Sequence, residues 1–245
     1  MVNDLTLVVG ASRGLGRGIA VAFADAGAPV VAVARSGSAL AELAATRPNV
    51  KIKIADATDS TVAGQLLDTY QPQVVILVAG APPAILSLQE QTWETFSVNW
   101  HTDVQMAFVW LRAALLRPLL AGSRVIVVSS GAAMAGSPLS GGYAGAKATQ
   151  RFITGYAQDE ALRAGLDITF TAVLPRLTPS TDLGLPAVKA YAARYGQTEE
   201  EYVQALGVPL TPEVAGSAML ELVQADPASL VPSYLLTGAG LQTLP

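Results

Sequence analysis

Cysteine is missing altogether from this 245-residue chain. Its absence excludes disulfides, thiolate metal sites and a cysteine nucleophile. Histidine occurs once, at His101, which rules out a metal centre built from several histidines. Charge is sparse, at 14% of residues against 51% hydrophobic, and the formal net charge is −4. That balance excludes a disordered chain. It also leaves no basic surplus to meet nucleic acid or an anionic membrane, so neither is expected as a partner. Long apolar runs are lacking as well. Residues 69–89 are uncharged but interrupted by Pro72, Pro82 and Pro83, and residues 125–146 are rich in glycine and serine and contain Pro138. Neither stretch suits a membrane helix. Met1-Val2-Asn3-Asp4 carries no basic segment leading into an apolar one, so no signal peptide is expected and a cytoplasmic location is.

What is present is a rhythm. Short β-branched runs at 5–9, 30–34, 50–55, 74–78, 124–129, 168–174 and, more weakly, 230–236 alternate with longer Ala/Leu-rich segments at 14–26, 38–46, 60–70, 92–116, 143–164 and 212–223. The runs are too short for helices and too apolar for loops. Alternation of this kind predicts an α/β Rossmann fold. Its doubly wound parallel sheet would have about seven strands, with helices on both faces. Buried parallel strands also account for the mean hydropathy of +0.41. No linker or internal repeat divides residues 1–245, so one domain is expected. Residues 177–210 break the rhythm. They mix prolines with an amphipathic, tyrosine-bearing piece, and either a surface helix pair or a lid over a substrate pocket fits them.

The first strand runs into Gly10-Ala11-Ser12-Arg13-Gly14-Leu15-Gly16, and a helix follows at once. Glycines at such a turn let the backbone approach a pyrophosphate, and the helix N-terminus offers free N–H groups. An NAD site usually places an acid at the end of the second strand. Here the sequence is Val33-Ala34-Arg35-Ser36. Arg35 and Ser36, with Arg13 joining from the glycine turn, suit a 2′-phosphate, which points to NADP(H). Further along, Tyr143 and Lys147 stand at i, i+4 on a predicted helix and share a face. An ammonium beside a phenol favours the phenolate, which fits proton transfer. Ser129 and Ser130 lie at the end of the fifth strand, where open parallel sheets place their ligand sites.

Taken in order, these motifs resemble the short-chain dehydrogenase/reductase family across nearly the whole chain. Gly10, Gly14 and Gly16 match its cofactor turn. Asp56, followed by Ala57, matches the acid that contacts adenine. Ala79-Gly80 matches the end of its Asn-Asn-Ala-Gly element, with Leu77-Val78 in place of the two asparagines. Asn99, Ser130, Tyr143 and Lys147 match its catalytic tetrad, Ser130 being preferred to Ser129 by its spacing of thirteen from Tyr143. Pro175-Arg176 stands where the family has Pro-Gly, and the backbone of Thr178 falls where the carboxamide is contacted.

The resemblance implies hydride transfer between NADP(H) and a small, apolar carbonyl or alcohol substrate, most simply ketone reduction with Tyr143 as general acid. Ser130 would position the carbonyl oxygen. Lys147 would act on Tyr143 and the nicotinamide ribose, and Asn99 would hold a relay water. It also implies a homotetramer or homodimer formed through segments 92–116 and 143–164. Two alternatives stay open. One is an epimerase or dehydratase of the same type; the other is an NADP-binding sensor or interaction protein without catalysis. His101 is expected to be structural or solvent-facing, and Tyr191, Tyr195 and Tyr202 to pack within the 177–210 segment or line its pocket.

Overall fold

The computed structural model describes residues 4–244, so the first three residues of the N-terminal segment considered above lie outside it. Eight strands form one sheet in the order β3-β2-β1-β4-β5-β6-β7-β8. In chain order they are β1 (Thr6–Val9), β2 (Val30–Ala34), β3 (Val50–Ile54), β4 (Val74–Leu77), β5 (Ser123–Val128), β6 (Ile168–Pro175), β7 (Ser233–Thr237) and β8 (Gly240–Leu244). The first seven pair in parallel. The eighth was not expected. It folds back antiparallel on β7 through a tight turn, with Thr237 opposite Gly240. Its Gly-Leu-Gln-Thr-Leu sequence carries too weak a β-branched signal to be read as a strand alone.

Side chains alternate across the sheet, as a period of two requires. Val8, Val30 and Ile76 point to one core, shared with α1 (Gly14–Asp25), α2 (Gly37–Ala45) and α10 (Pro212–Gln224). Leu7, Val9, Val31 and Leu77 point to the other, where they meet α3 (Ser60–Tyr70), α5 (Gln105–Leu116) and α7 (Gly141–Arg163). Both faces of the sheet are therefore covered, which explains its near-continuous apolar strands. No helix among the described residues is long and apolar enough to cross a membrane.

The expected helix over 92–116 is not continuous. It begins as α4 (Trp93–Asn99), passes through a π-helical turn at Trp100–Val104, and resumes as α5; a single-turn α6 (Ala132–Ala135) then stands between β5 and α7. Wide π-helical turns rotate the residues that follow and often mark functional sites. Residues 177–210 contain two helices, α8 (Gly184–Tyr195) and α9 (Glu199–Ala205). A capping box starts α9: Glu201 N donates to Thr198 Oγ1 at 3.1 Å, and Thr198 N donates to Glu201 Oε2 at 2.8 Å.

Candidate active site

The strand order reverses between β1 and β4. Connections then leave to opposite sides and open a crevice at the C-terminal edge of the sheet. A cleft of about 1540 Å³ occupies that position. The residues expected to hold the cofactor line it, from Gly10 to Thr178, as do Ser130, Tyr143 and Lys147 of the tetrad.

On the cofactor side the backbone leaves little choice of residue. Gly10 has φ +97°, and a Cβ there would lie 2.6 Å from Ala79 N. A Cβ on Gly16 would lie 2.1 Å from Gly10 O. The turn can therefore close only with glycine. Helix α1 starts at Arg13 without a side-chain cap and has no acid in its first turn. Its N–H groups face the cleft as an anion site. Arg35 and Ser36 are exposed on the rim. Asp56 lies nearby, and its carboxylate accepts from Thr58 N at 2.9 Å and Thr58 Oγ1 at 2.8 Å. Those hydrogen bonds, assisted by the charge of Arg35, hold its pKa below the usual value. The glycine cradle and open helix terminus fit a dinucleotide.

At the catalytic end, Ser129 and Ser130 separate clearly. The Ser129 hydroxyl is buried and donates to Lys147 O at 2.7 Å. Ser130 is half-buried and lines the cleft, its Oγ accepting from Ala132 N at 3.2 Å. Tyr143 is the third residue of α7. The start of that helix is set by Gly142, where a Cβ would lie 1.9 Å from Phe96 O. Only glycine lets α7 approach α4 so closely. The Lys147 ammonium lies 5.5 Å from the centroid of the Tyr143 ring.

Asn99 is the one tetrad residue that does not reach the cleft wall. It is buried, and its Nδ2 donates to Ala81 O at 2.7 Å and Asp103 Oδ1 at 3.2 Å. Asp103 stands between Asn99 and Lys147. Its Oδ1 also accepts from Ala81 N at 2.8 Å, and its Oδ2 lies 3.0 Å from Lys147 Nζ. Gln150 closes the network. It accepts from Lys147 Nζ at 2.9 Å and donates to Asp103 O at 2.7 Å. Burial pulls the Lys147 pKa down, but the charges of Asp103 and Tyr143 and the hydrogen bond to Asp103 outweigh it, so the net shift is upward.

Neither Asp103 nor Gln150 was singled out from the sequence. One signal was there to find: Asp103 is the only carboxylate between Glu94 and Arg112. Leu77 is buried in one core and Val78 packs against the other. With no asparagine after β4, the loop that follows is held by Asp103 at Ala81. Gly80 leaves room for this, since a Cβ there would lie 2.7 Å from Asp103 Oδ2. His101, expected to be structural or solvent-facing, is exposed and lies in the π-helical turn, where it also lines the cleft. Thr181 is used structurally: its hydroxyl donates to Thr178 O at 2.9 Å and accepts from Gly184 N at 3.1 Å.

The model of short-chain dehydrogenases matches residues 4–191. The chain belongs to the short-chain dehydrogenase/reductase family. Its members are oxidoreductases that use a nicotinamide cofactor. An L-xylulose reductase from Mesocricetus auratus is 34% identical over 116 residues, 45% of this chain and 47% of that protein. A hydroxynaphthalene reductase-like protein from Metarhizium majus (strain ARSEF 297) is 30% identical over 193 residues, 71% of this chain and 68% of that protein. The matches thus span about half the length of the xylulose reductases and two thirds of the fungal protein. Among solved structures, a variant of actinorhodin polyketide ketoreductase with NADPH superposes with a TM-score of 0.79 at 19% identity, covering 97% of both chains. A short-chain dehydrogenase from Mycobacterium avium gives 0.78 at 21% identity, covering 99% of this chain and 85% of that one. At these identities the likeness establishes the fold.

Proposed function

We propose that this short-chain dehydrogenase/reductase is a ketone reductase that uses NADPH, with Tyr143 as general acid. One observation carries the proposal: a single cleft gathers the glycine turn, the Arg35-Ser36 rim and the Ser130, Tyr143 and Lys147 side chains. The bound nicotinamide supplies the hydride, so that NADPH, a proton and a ketone give NADP⁺ and an alcohol. Tyr143 donates its phenolic proton to the carbonyl oxygen. Ser130 hydrogen-bonds that oxygen and fixes its approach. Lys147 places a positive charge beside the Tyr143 ring, which favours the phenolate left behind. Asp103 and Gln150 hold Lys147 in place, and Asn99 holds Asp103.

Arg35 reads the 2′-phosphate in this proposal. No carboxylate stands at the end of β2 to bind ribose hydroxyls instead. The reductase direction agrees with the names of the relatives above. Helices α8 and α9 form the lid of the substrate end. The protein assembles as a homodimer or homotetramer through α4, α5 and α7. Their outer faces leave Trp93, Phe108, Leu116, Phe152 and Tyr156 exposed, a concentration of apolar surface that suits an interface.

Fluorescence titration with NADPH and NADH tests the cofactor assignment. The expected result is tighter binding of NADPH, with that preference lost in Arg35→Ala. Tyr143→Phe should retain NADPH binding and lose turnover on carbonyl substrates. If neither nucleotide binds, the proposal fails at its first step.

A further inference from the structure

The cleft is larger than the range of about 300–1000 Å³ usual for one ligand, and it continues past the dinucleotide half to α8 and α9. These two helices contribute Tyr191, Tyr195 and Tyr202 to its wall. The three rings form a single cluster. Their centroids lie 6.2 Å apart for Tyr191–Tyr195, 6.2 Å for Tyr191–Tyr202 and 6.3 Å for Tyr195–Tyr202, with interplanar angles of 23°, 10° and 18°.

The cluster is anchored toward the catalytic end. The Tyr191 hydroxyl is hydrogen-bonded to Ser137 Oγ and accepts from Leu139 N at 3.2 Å. That segment leads directly into α7 and Tyr143. At the other end Tyr195 remains 58% exposed. Met134, Leu183 and Val208, also exposed, line the same cleft. Burial, and then its two tyrosine neighbours, push the Tyr202 phenol up, which keeps it neutral. The far wall is thus aromatic, uncharged and open to the cleft.

Packing of α8 on α9 needs apolar area, which aliphatic side chains would supply as well. Near-parallel rings with an open outer member supply something more specific. An additional ring can stack offset on them, at a low entropy cost because tyrosine has few rotatable bonds. We propose that Tyr195 and Tyr202 form a stacking platform, and that the substrate is a planar aromatic ketone whose ring lies on this platform with its carbonyl turned toward Tyr143. The inference rests on the ketone-reductase proposal for the fate of the carbonyl, but not for the binding of the ring.

The test compares two ketones with one carbon skeleton, 2-tetralone and its saturated counterpart 2-decalone. Binding is measured by calorimetry with saturating NADP⁺, so that no turnover occurs. The unmodified protein should bind 2-tetralone about threefold to tenfold more tightly, the range expected for one aromatic stack. Tyr195→Leu and Tyr202→Leu keep the apolar area and remove the ring face. Each should erase most of that preference while the affinity for 2-decalone changes little. Parallel titration with NADP⁺ reports whether the variants are folded. Equal affinity for the two ketones, binding of neither, or a preference that survives both substitutions would overturn the platform. Failure of NADP⁺ to bind the unmodified protein would instead count against the cofactor assignment, and the two ketones can still be compared without it.

Discussion

Lys147 Nζ lies 3.0 Å from the carboxylate of Asp103, and the two side chains are only 5% and 1% exposed. A buried pair of this kind contributes little against an apolar replacement of both partners. Removing one partner leaves an uncompensated charge in a poorly solvated place. Asp103→Leu should therefore cost about 3–5 kcal/mol. The double variant Asp103→Leu/Lys147→Met should recover part of that loss. Urea unfolding of the four proteins of the cycle measures it. A single variant within about 0.5 kcal/mol of the unmodified protein, the usual range for a surface change, would mean the pair is solvated.

The upward shift of Lys147 has a pH consequence with a definite sign. A lysine whose folded pKa is raised stabilises the protein fully below its unfolded value, about 10.4. The stabilisation is lost as pH rises through the folded value. The difference in unfolding free energy between the unmodified protein and Lys147→Met should stay constant from about pH 8 to 10 and shrink only above about pH 10.4. A difference that shrinks below pH 9 would contradict the shift.

Two glycines of α7 should respond oppositely to alanine. At Gly142 the new Cβ would meet Phe96 O at 1.9 Å, whereas at Gly155 nothing lies within 4 Å. Gly142→Ala must push α4 and α7 apart, a loss of about 1–3 kcal/mol. Gly155→Ala should gain about 0.5–1 kcal/mol from helix propensity. Thermal unfolding of the two variants should shift in opposite directions.

Phe152 and Tyr156 stand at i, i+4 on α7 and are exposed. If α7 is an interface, the protein should elute at a multiple of its 25.3 kDa chain mass. Phe152→Glu/Tyr156→Glu should reduce that to one chain. Size-exclusion chromatography with light scattering distinguishes the outcomes. A monomeric unmodified protein at micromolar concentration would remove the oligomer from the proposal.

Much of the fold was legible because local signals agree with one another. β-Branched runs of strand length and Ala/Leu-rich segments of helix length alternate along the chain, and the sheet follows them. Thr211 at the start of α10 accepts from Val214 N at 3.3 Å with Pro212 behind it, a local start signal of the same kind. The exceptions have physical causes. β8 is held by its hairpin with β7 rather than by intrinsic preference. The π-helical turn at Trp100–Val104 depends on what the helix packs against, and no periodicity in 92–116 announces it.

Within the site, the glycines at 10, 14 and 16, the Arg35-Ser36 pair and the Tyr143/Lys147 spacing were determined by the sequence itself. Each acts through backbone freedom, charge type or helical spacing, and those are properties of neighbouring residues. Gln150, three residues after Lys147 on α7, is a neighbour by helical spacing too. The other partner of Lys147 was decided only by the tertiary structure, which brings Asp103 from the π-helical turn after Asn99 to an ammonium on α7. The tyrosine wall is of the same kind. Tyr191 and Tyr202 become neighbours only when α8 folds back against α9, a long-range packing event that no local pattern encodes.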